Sequence, residues 1–470
     1  MPDVVSLIFL LVLIGVLVML ACGATIFAAE TAPLGRHGRM RSGHLVAGAW
    51  VAAAGLTLMA LMAWSTHEDV HYDDFGSEIT LLAAIVGATT FVLGLGPFVP
   101  WLLGVLGRGG VRLPAALRLS ARHLADRRAR TAPAVAATMI ATAFAVAVAT
   151  VAAAGTAQSR AQYLPQARPG TLVVRLDPAR PAPGIAAVRQ ELPGTDVAQG
   201  LTPVHPFGLT VSTAGSATSF RDYIGDQALL RYLTGDPSFP YDEGRAVAVT
   251  SEPGRHDTVT IEYRAPEDPP GEPRISRTVP ATFVAPAAAG VEAVFLPARL
   301  VLGMGVKLEL EALIVDPSLH RVTAADRDRV QERLGESGQA YLEEGFVPSY
   351  NWLLFPGAAA PAALAGALAA TARSRRPDRL LLRVGGSPAA ARGLTACRAA
   401  LAAACGAVPG AAAGCVAGLL LAWPFTTSVD WDPVPRVPFE TPWSSIALAT
   451  VALPVLAAAV ALLLRPGRRP

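Results

Sequence analysis

The stretch His67-Glu68-Asp69-Val70-His71 matches H-E-x-x-H. In that pattern two histidines one helical turn apart hold zinc, and the glutamate acts as base toward a metal-bound water. Asp73 or Asp74 stands close enough to offer a third ligand. The chemistry also needs a stable helix and a cleft for substrate. Here the pentapeptide falls in the short acidic segment Ser65 to Glu78, between two apolar stretches. Asp69, Asp73 and Asp74 are mediocre helix formers, and Gly76 ends a helix quickly. The expectation is a solvated acidic loop with no catalytic residue and no metal, His67 and His71 being the only pair with ligand spacing. His205, His256 and His320 are isolated.

Other chemistries lack their residues. The single lysine is Lys307, followed by Leu308. A phosphate-cradling loop needs G-x-x-x-x-G-K-[ST], so the chain carries no such ATPase site. A retinal Schiff base needs a lysine inside a helix, which is also missing. No Ser-His-Asp grouping has supporting context. Cys22, Cys397, Cys405 and Cys415 all lie in apolar stretches, which suits small buried hydrophobes better than a disulfide framework. Met19-Leu20-Ala21-Cys22 weakly matches a lipoprotein cleavage box, but Met-Pro-Asp-Val-Val lacks the basic start that a signal peptide needs. The chain is expected to be no enzyme and to hold no cofactor.

Composition points to the lipid bilayer instead. The chain is 52% hydrophobic and 16% charged, against roughly 25% charged for a soluble protein. Net charge is +3, too little to argue for nucleic acid. Seven stretches are long and apolar enough to span a membrane: Val4–Ala29, Leu45–Trp64, Ile79–Leu106, Ala132–Gly155, Trp352–Thr371, Leu394–Ala422 and Ser444–Leu464. Pro356 and Pro361 interrupt the fifth. Arginines cluster after the first stretch (Arg36, Arg39, Arg41), after the third (Arg108 to Arg130), after the fifth (Arg373 to Arg392) and in the tail (Arg465, Arg468, Arg469). Trp64 to Glu78 has no arginine, and Trp423 to Trp443 sets Asp430, Asp432 and Glu440 against Arg436 alone. By the excess of basic residues on the cytoplasmic side, the N-terminus is expected outside and the C-terminus inside.

The polar stretch between the fourth and fifth spans then lies outside the membrane. Thr171 to Leu176, Ala246–Thr250, Thr258–Tyr263, Glu292–Leu296 and Leu308–Val315 read as strands, and Gly184 to Leu192 as a short helix. Thr323 and Asp326 suggest a capping box opening a helix that carries Val330 and Leu334. Ala265 to Pro273 reads as a loop. The fold class expected is a polytopic α-helical membrane protein of about seven spans with a large extracytoplasmic α+β domain. The parts are 1–112, three linker helices; 113–155, an amphipathic entry helix and the fourth span; 156–350, the α+β domain; and 351–470, the last three spans.

Two arginine-rich stretches carry a resemblance. In "RLSARHLADRRARTAPAVAATMIA", starting at Arg118, Leu117, Ala121, Leu124 and Ala125 can share one face with arginines opposite, as in a helix lying on the inner membrane surface. The other is "ARSRRPDRLLLRVGGSP", ending at Pro388. With "YIGDQALLRYLTG" (Tyr223 to Gly235) and "YLEEGF" (Tyr341 to Phe346), and with the order of segments from Leu113 onward, the chain resembles the FtsX-like permeases of ABC transporters, the MacB and LolC/LolE types in their actinobacterial form. It looks like the second unit of a two-unit permease.

The resemblance implies a bacterial multi-pass plasma-membrane subunit with no catalytic residue of its own. Its partners would be an ABC ATPase subunit, a second permease unit (a homodimer or a separate chain) and the bilayer, with no nucleic acid. Arg375, Arg376, Pro377, Asp378, Leu381, Arg383, Gly385 and Pro388 would meet the ATPase. Gly386 departs from the alanine usual there and weakens that helix by about 0.5–1 kcal/mol. A membrane-anchored sensor or scaffold without ATP coupling is the other class that these features admit.

Overall fold

The computed structural model describes residues 42–67, 74–109, 114–178, 180–204, 209–213, 221–250, 257–263, 275–286, 292–372, 387–427 and 435–463. They divide into two compact units, Met1–Gln162 with Pro348–Pro470, and Tyr163–Val347.

The first unit is helical. Its elements before the polar region are α1 (Ser42–Ser65), α2 (Asp74–Gly94), α3 (Phe98–Gly109), α4 (Ala115–Asp126) and α5 (Arg128–Gln162). After that region come a 3-10 turn (Asn351–Leu353), α10 (Leu354–Ala372), α11 (Pro388–Phe425) and α12 (Trp443–Leu463). Among the described residues, 6 helical stretches are long and apolar enough to cross a membrane. They coincide with the second to seventh expected spans; Val4–Ala29 lies outside the described residues. Large apolar side chains cover the outside of this unit, among them Trp50 at 73% exposure, Leu448 at 68% and Val455 at 61%. Such a surface is an aggregation hazard in water and is solvated in lipid.

Three details depart from the expected spans. The third is broken: α2 stops at Gly94, and the chain turns through Leu95, Gly96 and Pro97 before α3. Proline cannot donate to the preceding turn, which accounts for the break. α5 is longer than expected, with 35 residues, or roughly 52 Å at 1.5 Å per residue. That exceeds the ~30 Å thickness of a hydrocarbon core, and its polar residues lie at the two ends, Arg128 and Arg130 at one and Gln158 to Gln162 at the other. Pro356 and Pro361 do not interrupt α10: the first sits in its opening turn and the second is carried inside it.

Close approach of backbones holds this unit together. Gly406, Gly410, Gly414 and Gly418 recur every fourth residue along α11 and face α5. A Cβ built on Gly410 would lie 2.4 Å from the Met139 carbonyl oxygen, and one on Gly414 2.4 Å from that of Ala143. Lipid chains are as apolar as leucine, so helices associate in a membrane through van der Waals contact and interhelical hydrogen bonds, which small residues permit. On α5 the partners are Thr138, Thr142, Val146 and Thr150, all buried. Thr138 also donates from Oγ1 to the Ala363 carbonyl of α10 at 3.0 Å. α1 and α2 use the same device, with Gly55 against Phe91 and Gly87, and Gly94 against Ala52.

The second unit is the α+β part. Its strands are β1 (Leu172–Leu176), β2 (Val197–Pro203), β3 (Leu209–Thr213), β4 (Arg221–Gly225), β5 (Ala246–Val249), β6 (Thr258–Tyr263), β7 (Ile275–Val284), β8 (Ala293–Pro297), β9 (Leu308–Val315) and β10 (Gly338–Leu342). They form one sheet in the order β10-β1-β9-β2-β4-β8-β5-β7-β6-β3. The pairs β4–β8 and β5–β7 are parallel, and the rest are antiparallel. β5 and β8 are buried along their whole length, as central strands covered on both faces are.

Four helices complete the unit: α6 (Pro181–Glu191), α7 (Gln227–Thr234), α8 (Ala298–Leu302) and α9 (Ala324–Leu334). α6 and α9 set Ala187, Val188, Val330 and Leu334 against Leu172, Val174, Leu313 and Val315. α7 sets Leu229, Tyr232 and Leu233 against Val247 and Phe295. The capping box of α9 has both of its reciprocal bonds, Asp326 N to Thr323 Oγ1 at 3.3 Å and Thr323 N to Asp326 Oδ2 at 2.8 Å. The expected loop Ala265 to Pro273 lies outside the described residues.

Leucine at Gly410 or Gly414 should separate α5 from α11. Overpacking of this kind costs about 1–3 kcal/mol per site. Thermal unfolding of the purified chain in mild detergent should show a lowered midpoint for Gly410→Leu and Gly414→Leu. Gly43→Leu, which meets nothing within 4 Å, should leave it in place.

Candidate functional site

The second unit is joined to the helical unit at two points of the chain, Gln162/Tyr163 and Val347/Pro348. The residues just inside these points are tied together by Glu343, a fully buried carboxylate at the end of β10. Its oxygens accept from the Tyr163 hydroxyl, from the Gln166 amide at 2.9 Å, from the Gly345 amide at 2.9 Å and from the Tyr341 hydroxyl at 3.3 Å. Its backbone joins in: Gly170 N donates to the Glu343 carbonyl at 2.7 Å, and Glu343 N donates to the Thr171 carbonyl at 2.9 Å. The Tyr163 ring packs edge-on against Phe346 at 5.8 Å between centroids. Incoming and outgoing chain are thus clasped to each other, and Gly345 in the left-handed region (φ +81°) makes the turn that aims its amide at the carboxylate.

Burial by itself raises a carboxyl pKa, but the four hydrogen bonds outweigh it and hold Glu343 below the usual carboxylate range. The same surroundings act oppositely on Tyr163, whose phenol is pushed up by burial and by the bond it donates to Glu343.

A second tie lies further along the entering chain. Arg168 packs its guanidinium over the Tyr232 ring at 5.5 Å, donates from Nη1 to the Tyr232 carbonyl at 2.9 Å and pairs with Asp316 at 3.7 Å. The Tyr232 hydroxyl accepts from the Arg168 amide at 2.9 Å and bonds Thr171 Oγ1 at 3.1 Å. Tyr232 is fixed by α7, which starts at Asp226, whose side chain accepts from Leu229 N at 3.1 Å, and ends at Gly235 with φ +69°. The stretches Tyr223 to Gly235 and Tyr341 to Phe346, far apart in sequence, therefore converge on the segment Tyr163 to Thr171. Tyr163 and Arg168 carry no motif, and only the fold singles them out.

Of the two histidines with ligand spacing, His67 sets its ring at a 53° tilt against Trp423 of α11, 4.7 Å between centroids, and Arg436 lies over the same indole at 5.0 Å. Glu68 and His71 lie outside the described residues. Cys397, Cys405 and Cys415 are free thiols, half-buried rather than fully buried in α11, and Cys22 lies outside the described residues. Of the residues expected to meet an ATPase, Arg375, Arg376, Pro377, Asp378, Leu381, Arg383 and Gly385 lie outside the described residues. Pro388 sits in the first turn of α11, behind Ser387, whose Oγ accepts from Ala390 N at 3.2 Å. On the entry helix α4, Ala121 and Leu124 are buried, Leu117, Arg118 and Ala125 half-buried, and Leu119 and Arg122 exposed. It is locked to α5 by Thr131 Oγ1, which donates to the Leu124 carbonyl at 3.3 Å.

The chain matches no family model and no curated protein.

Glu343→Ala removes the acceptor shared by two backbone amides and two half-buried phenols, and a hydrogen bond to a charged group contributes about 1.5–3 kcal/mol. Limited proteolysis of the full chain should then cut the Tyr163–Val347 unit at much lower protease concentrations, and Tyr163→Phe should have a smaller effect. Because the folded pKa of Glu343 lies below the unfolded one, its contribution is complete above about 4.3, the unfolded glutamate value, and is lost as pH falls through the folded pKa. Protease resistance of the wild type should fall with pH in that window more steeply than that of Glu343→Gln.

Proposed function

We propose that this chain is the permease subunit of an ABC transporter, working as a lever and offering no channel. It resides in the bacterial plasma membrane with its N-terminus outside, its C-terminus inside and the Tyr163–Val347 unit outside. A separate ATPase subunit docks on the inner face against Arg375 to Pro388 and the arginine-bearing Arg118 to Arg130 stretch. Closure of the ATPase moves α5 and α10, and the sheet unit follows.

The observation that carries this reading is the continuity of α5. One helix runs from the arginines at Arg128 and Arg130 to Gln162, and the next residue, Tyr163, is held by the buried Glu343. An unbroken helix transmits displacement along its axis, and the clasp prevents the entering strand from absorbing it. α4 supports the reading as well, since it buries one face and keeps Arg122 exposed. Arg398 is buried near the start of α11. Acidic and basic groups are otherwise scarce in the spans, which suits a machine without an ion path. Coupling to a second permease unit completes the machine in this reading, whether that unit is another copy or a separate chain.

Co-purification tests the reading. The tagged chain in mild detergent should retain a nucleotide-binding subunit, and Arg375→Glu with Arg376→Glu should release it while the chain stays monodisperse. Absence of any such subunit from the wild-type preparation would leave the sensor or scaffold class in its place. The orientation has its own check: in sealed right-side-out vesicles, external protease should cut near Asp268, and cutting only from the cytosolic side would invert the topology.

A further inference from the structure

The helical unit contains a cavity of about 260 Å³ bounded by α2, α5, α10 and α11. α2 contributes Ile85, Ala88 and Val92, α5 runs along it from Ile140 to Ala152, and Trp352 of the 3-10 turn with Phe355, Leu421 and Phe425 of α10 and α11 lines the rest, leaving one side open. α2 reaches it by packing on α11, and α10 by packing on α5. Its one hydroxyl, that of Thr89, donates to the Ile85 carbonyl at 2.8 Å and leaves only a methyl to line the space. The Phe144 and Phe355 rings meet edge-on at 6.5 Å.

We propose that this cavity is a binding site for one acyl chain of a membrane diacyl lipid. Water needs polar partners to enter, and the lining offers almost none; an apolar cavity of about 150 Å³ already stays dry and takes up a hydrocarbon. The cavity lies within helices long enough to cross a membrane, so the medium that reaches it is lipid. Its depth also fits. Ile140 to Ala152 spans roughly 18 Å of helix at 1.5 Å per residue, close to the ~15 Å of one leaflet of a 30 Å core. The chain sits in the half of the bundle that carries Gln162 and Asn351, wedged beside α5. The site stands whether or not an ATPase drives the protein.

Native mass spectrometry of the full chain released from dioleoylphosphatidylcholine nanodiscs tests it. The wild type should keep one tightly held lipid. Ala88→Phe and Val151→Phe, which put a ring into the space, should lose it, and Leu448→Phe on the lipid-facing side of α12 should keep it. A fluorescence measurement covers the case in which the filled variants fail to fold: dibrominated acyl chains should quench the emission assigned to Trp352, taken as the difference between wild type and Trp352→Phe. A wild type without bound lipid, filled variants that hold as much lipid as the wild type, or an unquenched Trp352 would each overturn the site.

Discussion

Backbone contact between α5 and α11 is the constraint on which the helical unit depends. In water the pair would be held by removing leucine and valine from solvent. In a bilayer that force vanishes, because the surrounding chains are equally apolar, and what remains is the density of atom-to-atom contact and a few interhelical hydrogen bonds. Glycine at 406, 410, 414 and 418 brings the α11 backbone onto Thr138, Met139, Ala143 and Ala147 with no side chain between. The threonines on the facing side satisfy their hydroxyls on carbonyls of their own helix or, at Thr138, also on α10. They thereby pack as small branched hydrophobes and leave no polar group unsatisfied in lipid.

The sheet unit follows the opposite logic. Its core is conventional hydrophobic burial, with Leu172, Val315, Phe295 and Ile261 removed from water. Glu343, fully buried, sits close to where the chain enters and leaves the unit. A buried charge is tolerated only when its acceptor positions are filled, and here two amides and two phenols fill them. Each donor lost weakens the reason for the charge to be there. It ties the two ends of the unit to each other with a group that would destabilise a site lacking such donors.

Packing in one part and electrostatics in the other converge on α5. It is the helix against which α10 and α11 pack, and its last residue precedes Tyr163. In the proposed reading, rigidity along this path is the function. Glycine contacts resist sliding, the length of the helix carries displacement past the hydrocarbon core, and the clasp resists unravelling at the far end. The same need for dense packing makes the apolar cavity beside α5 notable, since contact between helices is missing there.

Much of this was legible in the residues. The long apolar helices between Leu45 and Leu463 follow from hydropathy, because a helix satisfies its whole backbone within one segment. Strands at Leu172, Ala246, Thr258 and Leu308, and the capping box at Thr323, follow from local periodicity and local hydrogen bonding. β2, β3, β4, β7 and β10 carry no such local signal, because their residues are polar or glycine-rich and become strands only through their neighbours in the sheet. The repeat Gly406, Gly410, Gly414, Gly418 was visible, but a repeat of small residues does not say which helix it faces. Glu343 shows the limit most plainly. By itself it is an ordinary glutamate beside another, and only the fold brings Tyr163, Gln166, Tyr341 and Gly345 around it. Local chemistry determined the segments, while long-range contact decided partners, because each partner's identity depends on surfaces that exist only after the chain has closed on itself.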